Sequence, residues 1–326
     1  MTKDSNLQVF PSRRPISECV GLIVNGTNAA ATIKTIVAAE TAGVKQIWMV
    51  QPPWSPDVLT TLAAAAIKTS IVRLGTSIIP TYPRHPVVLA QQVLALHDIA
   101  PDRLRLGIGP SHRAIVEDIY GLPQTTPLVH LREYVKVLQS ILRVGRVDHH
   151  GEFYNIVIEF PRTAQIPVLI STLGKKAFQL AGEIADGALS WMCPVPYLLH
   201  TGIPLLHKAA TANRRSKFPP FVAHVSVALS QDSDSVRVAG HKMFDMYSKF
   251  PFYVKMFADA GFPLTSNEKV TDDLVNNIII SGNEDAVAAS LTKLMAAGLD
   301  ELMVSLVPVV DEKYEQTQLM RLIGQM

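Results

Sequence analysis

The sequence predicts a single α/β domain, a (β/α)8 TIM barrel with an inserted helical segment after the seventh strand. Two observations predict it: eight β-rich apolar runs recur along the 326 residues, and helical patterns fill most of the spaces between them. A third observation sets the domain count. No repeat, low-complexity tract or linker divides the chain, so residues 1–326 read as one domain.

The runs are VGLIVNG (20–26), KQIWMVQ (45–51), VRLGTSII (72–79), LRLGIG (104–109), VLISTL (168–173), GALSWMC (187–193), FVAHVSVAL (221–229) and ELMVSLV (301–307). Between them, AAATIKTIVAAETAG ends in glycine, SPDVLTTLAAAAIKT begins with a Ser/Asp capping signal, and NEDAVAASLTKLMAAG has an acidic first turn with Gly298 just past its end. The longest gap contains FDMYSKFPFYVKMFADAGFP, too much for one βα connection. We therefore expect a helical insert at about 231–280, a lid or part of a substrate wall. Residues 1–18 are polar and contain prolines, and read as a loose N-terminal arm.

Composition removes several function classes. Thirty Lys/Arg against 28 Asp/Glu leave a net charge of +2, with no basic run interleaved with aromatics, so no nucleic-acid partner is expected. No signal-peptide core and no membrane-length apolar run occurs, so no membrane partner is expected. Two cysteines, Cys19 and Cys193, offer neither a disulfide framework nor a thiolate metal site, which fits a reduced cytoplasm. The pair His149–His150 lies in a hairpin-like surface stretch and is read as solvated, not as a metal site, so no metal is expected; His85 precedes Pro86 at a helix start and reads as structural, not catalytic.

In such a barrel, chemistry sits at the C-terminal ends of the strands. That places Asn25, Gln51, Ser77, Ile78, Gly109, Pro110, Ser111, His112, Ser171, Thr172, Trp191, Met192, His224 and Ser305 around one pocket, with few carboxylates. The loops after the seventh and eighth strands lack the glycines of the usual phosphate cup. After the fifth strand, Ser171, Thr172, Leu173, Gly174 and Lys175 stand where a helix begins, so hydroxyls, backbone N–H groups and a cation can meet a phosphate there. Simple helix capping by the same residues is the alternative.

The stretches RLGTSIIPTYPRHPVVLAQQVLALHDIAPDRLRLGIG, PVLISTLGKKAFQLAGEIADGAL and SGNEDAVAASLTKLMAAGLDELMV closely resemble the bacterial luciferase-like monooxygenase superfamily. GIGPSHR and YGLPQTTPLVHLREYVKVLQSIL look most like its branch that uses coenzyme F420, a deazaflavin. The resemblance implies that Ser77–Ile78 forms the bulge, often with a non-proline cis peptide, that backs the cofactor ring. It also implies that Gly109, Pro110, Ser111 and His112 lie beside that ring, and that Ser171, Thr172, Gly174 and Lys175 reach the cofactor phosphate. Leu173 and Lys175 stand where many relatives carry a glycine or alanine and a proline, so the phosphate donors are not fixed by it. Gln51 belongs to the expected cofactor set. Asn25, Trp54, Trp191, Met192 and His224 form the expected substrate wall, with core packing as the alternative for the larger side chains.

These expectations imply hydride exchange between coenzyme F420 and a small organic substrate. Gly107 and Gly109 would let the cofactor approach the backbone, and His112 would be the proton partner because its titration range suits general acid–base work. A histidine that only hydrogen-bonds the cofactor or a loop is the alternative. An FMN-dependent monooxygenase and a noncatalytic flavin or deazaflavin binder are the rival functions. Family members are often dimers, and TLAAAAIK suits close helix packing, so a homodimer is expected.

Overall fold

The computed structural model describes residues 14–265, 267 and 269–326. Eight parallel strands close on themselves: β1 (Val20–Ile23), β2 (Gln46–Met49), β3 (Arg73–Thr76), β4 (Leu104–Gly109), β5 (Val168–Ser171), β6 (Gly187–Leu189), β7 (Phe221–Ala228) and β8 (Glu301–Leu306). Closure comes from Val20 opposite Leu302 between β1 and β8, and from Phe221 opposite Ala188 between β7 and β6. Helices cover the outer face, so the strands are buried on both sides and read as unbroken apolar runs. All eight residues of β7 are buried.

The eight strands fall within the eight apolar runs, but most end earlier than the runs do. The run at 20–26 stops as strand at Ile23, and that at 187–193 stops at Leu189. Val24, Met192 and Cys193 remain buried beyond those ends. Hydrophobicity reports burial, and the βα loops at this face are buried too. Beyond β3, the chain makes a cis peptide at Ser77–Ile78 and resumes pairing through Ile79 and Pro80 opposite Ile108 and Gly109.

The helices start where side chains can satisfy their first N–H groups. Asn28 caps Ala29–Thr41, Asp57 caps Val58–Lys68 and Asn283 caps Glu284–Ala296. Inside the barrel, Trp48 packs with Ile23, Leu169, Leu189, Val222 and Met303. Its indole lies so close to β3 that a Cβ on Gly75 would overlap the ring.

The N-terminal end of the barrel is closed by charge. Glu301 is buried and accepts from Arg14 at 2.7 Å, from Gln46 at 3.0 Å and from Arg105. The expected loose arm is corrected here in part: Ile16–Cys19 is a helical turn leading into β1, and Arg14 reaches the buried carboxylate. Residues 1–13 of that arm lie outside the described residues.

The segment after β7 carries the helices Ser233–Tyr247, Pro251–Asp259 and Asp272–Ile278, followed by a strand, Ile279–Ser281, that pairs with the end of β7. The stretch around His149–His150 is one arm of the hairpin Arg146–His150/Asn155–Glu159. His149 does not stand free in solvent, because its Nε2 meets the Glu133 carboxylate at 2.9 Å. Among the described residues no helix is long and apolar enough to cross a membrane, and no group of three or more His, Cys, Asp or Glu is arranged to hold a metal.

Candidate active site

The C-terminal ends of β3, β4 and β5 meet tightly. A Cβ on Gly109 would overlap the Ser171 hydroxyl, and one on Gly107 would overlap the Thr76 carbonyl. Both glycines are small where neighbouring strands press on them. Pro110 is followed by Ser111 in the left-handed region at φ 62°, a conformation that a non-glycine residue adopts at a cost. Gln124 holds this turn by donating from Nε2 to the Pro110 carbonyl at 2.8 Å.

The turn delivers His112 to the insert. Its imidazole stacks on Phe250 with ring centroids 4.1 Å apart and planes 7° from parallel, and Tyr253 lies 5.4 Å away. Nδ1 of His112 is buried without a hydrogen-bond partner. Burial pushes the imidazole down to about 4, so the ring is neutral near pH 7. His112 is offered by the sequence as a proton partner on its ordinary titration range, and burial against the insert moves that range down.

On the other side of the barrel mouth, Trp191 stacks on His224 with centroids 3.9 Å apart and donates its indole N–H to the Tyr247 hydroxyl at 2.8 Å. His224 Nδ1 accepts from the Met192 backbone N–H at 3.2 Å, which leaves the proton on Nε2 to be donated to Ser305 Oγ at 2.8 Å. Complete burial pushes His224 down to about 3 and keeps that tautomer neutral. Met192 is held at φ 54° and is itself buried. Burial likewise pushes the Cys193 thiol up to about 12.

Other expected site residues are occupied structurally. Asn25 accepts from the Val50 backbone N–H through Oδ1 at 3.0 Å, and Gln51 accepts from Val58 N–H at 2.7 Å, which bridges a loop to a helix start. The Thr172 hydroxyl donates to the Leu189 carbonyl at 3.0 Å, and the Leu173 carbonyl accepts from the Tyr197 hydroxyl at 3.0 Å. Trp54 is 65% exposed on the loop after β2, so it stands at the rim and not in the aromatic wall. Ser77 is buried and Ile78 packs against the interior cluster that contains Trp48.

The β5 loop leads into a helix start that no side chain caps. Helix Lys175–Ile184 begins at Gly174, and a Cβ on Gly174 would meet nothing within 4 Å. The Lys175 and Lys176 N–H groups precede the first intrahelical bonds, which Ala177 and Phe178 make to the Gly174 carbonyl, and the Lys175 side chain is exposed beside them, a set that suits an anion. These residues fit a phosphorylated cofactor, while the Leu189 carbonyl already takes the Thr172 hydroxyl and N–H and removes Thr172 from the simplest donor set.

Sequence reasoning named the insert as a wall without identifying its contacts. Tyr247, Phe250 and Tyr253 carry them, and the only signal was the aromatic density of FDMYSKFPFYVKMF. Two other clefts, each of about 520 Å³, have different surroundings. One lies at the opposite end of the barrel beside Arg105 and Glu301, and the other beside Glu284 and Asp285.

Residues 18–301 match the family described as luciferase-like monooxygenase. The chain belongs to this family. An F420-dependent glucose-6-phosphate dehydrogenase from Kineococcus radiotolerans is 27% identical over 290 residues, covering 82% of this chain and 84% of the relative. The structure of an F420-dependent secondary alcohol dehydrogenase in complex with an F420-acetone adduct superposes with a TM-score of 0.79 at 17% identity, covering 94% of this chain and 98% of the other. An FMN complex of a type II Baeyer-Villiger monooxygenase from Pseudomonas putida gives a TM-score of 0.73 at 18% identity, covering 94% of this chain and 97% of the other. At these identities the two structures establish the family's fold around both kinds of cofactor.

Proposed function

We propose that the protein is a coenzyme F420-dependent oxidoreductase that exchanges a hydride with a small organic substrate. The observation that carries this reading is the pairing of two features on neighbouring strand ends: an uncapped helix start at Gly174 and a buried, unpartnered His112 Nδ1. The choice of F420 over FMN is supported by the F420-dependent relative that matches 82% of the chain.

The first-turn N–H groups after Gly174, with Lys175 beside them, would hold the cofactor phosphate. Ser77, Ile78, Gly109, Pro110 and Ser111 would form the surface behind the ring. Bound there, the deazaflavin supplies or accepts hydride, so that ketone and reduced cofactor balance against alcohol and oxidised cofactor once one further proton has moved. His112 serves that proton. Held neutral by burial, it would accept the alcohol proton in the oxidising direction, and by microscopic reversibility the imidazolium would return that proton to the substrate oxygen in the reducing one. Phe250 and Tyr253 cover its ring and exclude water.

A homodimer and a cytoplasmic location belong to the same proposal. Ile67 and Ile71, 73% and 60% exposed near the end of helix Val58–Lys68, give an apolar surface for a second copy, and sedimentation tests it.

Equilibrium titration with coenzyme F420 and with FMN, each oxidised and reduced, tests the function. Tighter binding of the deazaflavin is expected. Preference for FMN would overturn the cofactor assignment and redirect the search to oxygen-dependent chemistry.

A further inference from the structure

Six rings form a continuous arc over the barrel mouth. His112 stacks on Phe250 and lies beside Tyr253; Tyr253 meets Tyr247 edge-on with centroids 4.9 Å apart; Tyr247 accepts from Trp191; Trp191 stacks on His224. The arc draws on the loops after β4 and β6, on β7 itself and on the insert. Trp191, Tyr247, Phe250 and His112 are only partly buried.

No member of the arc carries charge near neutral pH. His112 and His224 are pushed down to about 4 and about 3 by burial, and the buried hydroxyls of Tyr247 and Tyr253 are pushed above the usual phenol range. The charged side chains nearest in sequence are engaged elsewhere. Lys249 pairs with Asp245 at 2.8 Å, Lys255 with Asp259 at 3.3 Å, and Arg113 donates to the Gln124 carbonyl at 3.2 Å. A charged substrate pressed against these rings would lose water, and the rings themselves offer no counter-charge. A flat apolar body would gain ring contacts.

We propose that this arc is the specificity surface of the enzyme, selecting an uncharged substrate with a flat apolar body, an aryl or cyclic ketone or the corresponding alcohol, and rejecting phosphorylated or carboxylated ones. The assignment rests on the proposed oxidoreductase function, but the selectivity belongs to the protein surface and is measurable without cofactor. It also separates this chain from its sugar-phosphate-oxidising relative, whose substrate carries a charge that the arc does not match.

The test is binding of α-tetralone, a tetralone carboxylate and glucose-6-phosphate near neutral pH, by calorimetry and ligand-observed NMR, with and without coenzyme F420. Tetralone is expected to bind roughly tenfold or more tightly than either anion, equivalent to about 1.4 kcal/mol. Phe250→Leu should weaken tetralone by roughly threefold to tenfold through lost ring contact. Phe250→Lys should reverse the ranking in favour of the carboxylate, with circular dichroism checking that each variant folds. Equal or tighter binding of an anion to the unaltered protein, no binding of tetralone, or an unchanged ranking in folded Phe250→Lys would each overturn the proposal. Loss of F420 binding with selectivity retained would instead sink the oxidoreductase reading alone.

Discussion

Phe250 lies face to face with His112, centroids 4.1 Å apart, so the residue proposed to move a proton is roofed by the insert and not by the barrel that carries it. The stack explains both the neutral imidazole and its missing Nδ1 partner. It also makes the proton step dependent on a segment far away in sequence.

His112→Ala should reduce kcat by about a hundredfold or more, in line with the loss of a general acid–base group, while coenzyme F420 affinity changes severalfold at most. Steady-state kinetics beside a cofactor titration separates the two. An unchanged kcat would remove His112 from the proton step.

The pH dependence follows from the same burial. In alcohol oxidation, the free-enzyme profile should stay flat through neutrality and fall as His112 protonates at about 4. An inflection near the unperturbed 6.5 that vanishes in His112→Ala would contradict the buried imidazole.

Stability should respond to pH most through the three histidines that burial depresses furthest. His112 and His130 titrate at about 4 and His224 at about 3 when folded, against 6.5 unfolded. Between 6.5 and the folded values the unfolded chain binds more protons than the folded one, so stability falls as pH drops through that window and is level above 6.5 and below the folded values. Each histidine contributes at most about 1.4 kcal/mol per pH unit in that window. Urea unfolding across acid and neutral pH measures the slope, and His224→Asn should flatten it.

Glu301→Gln should destabilise the fold by about 3 kcal/mol, because it leaves the Arg14 and Arg105 guanidiniums facing each other without the buried carboxylate between them. The change sits at the end of the barrel opposite the candidate site. Denaturant unfolding should register it with coenzyme F420 affinity of the folded protein preserved; full stability would show that Gln46 alone closes this end.

Gly109→Ala should cost about 1–3 kcal/mol from overlap with the Ser171 hydroxyl. Combining it with Ser171→Gly should recover much of that loss, and a double-mutant cycle by thermal unfolding tests the coupling. Additive effects would show that the two strand ends do not press on each other.

The order of eight strands, the capped helices and the approximate place of the insert were all legible along the chain, because buried strands and capped helix starts are local patterns of apolar and polar residues. The resemblance to the family also placed the Ser77–Ile78 bulge, where the structure has its cis peptide. What each polar group near the barrel mouth does was decided only when the chain closed. Gln51 looks available in sequence but caps a helix, Gly109 looks like room for a ligand but accommodates Ser171, and His112 looks titratable but is desolvated by Phe250. Local pattern determines which segments are strands and helices, whereas burial, packing and pKa depend on neighbours that the fold brings together, as Ser171 meets Gly109 and Phe250 covers His112.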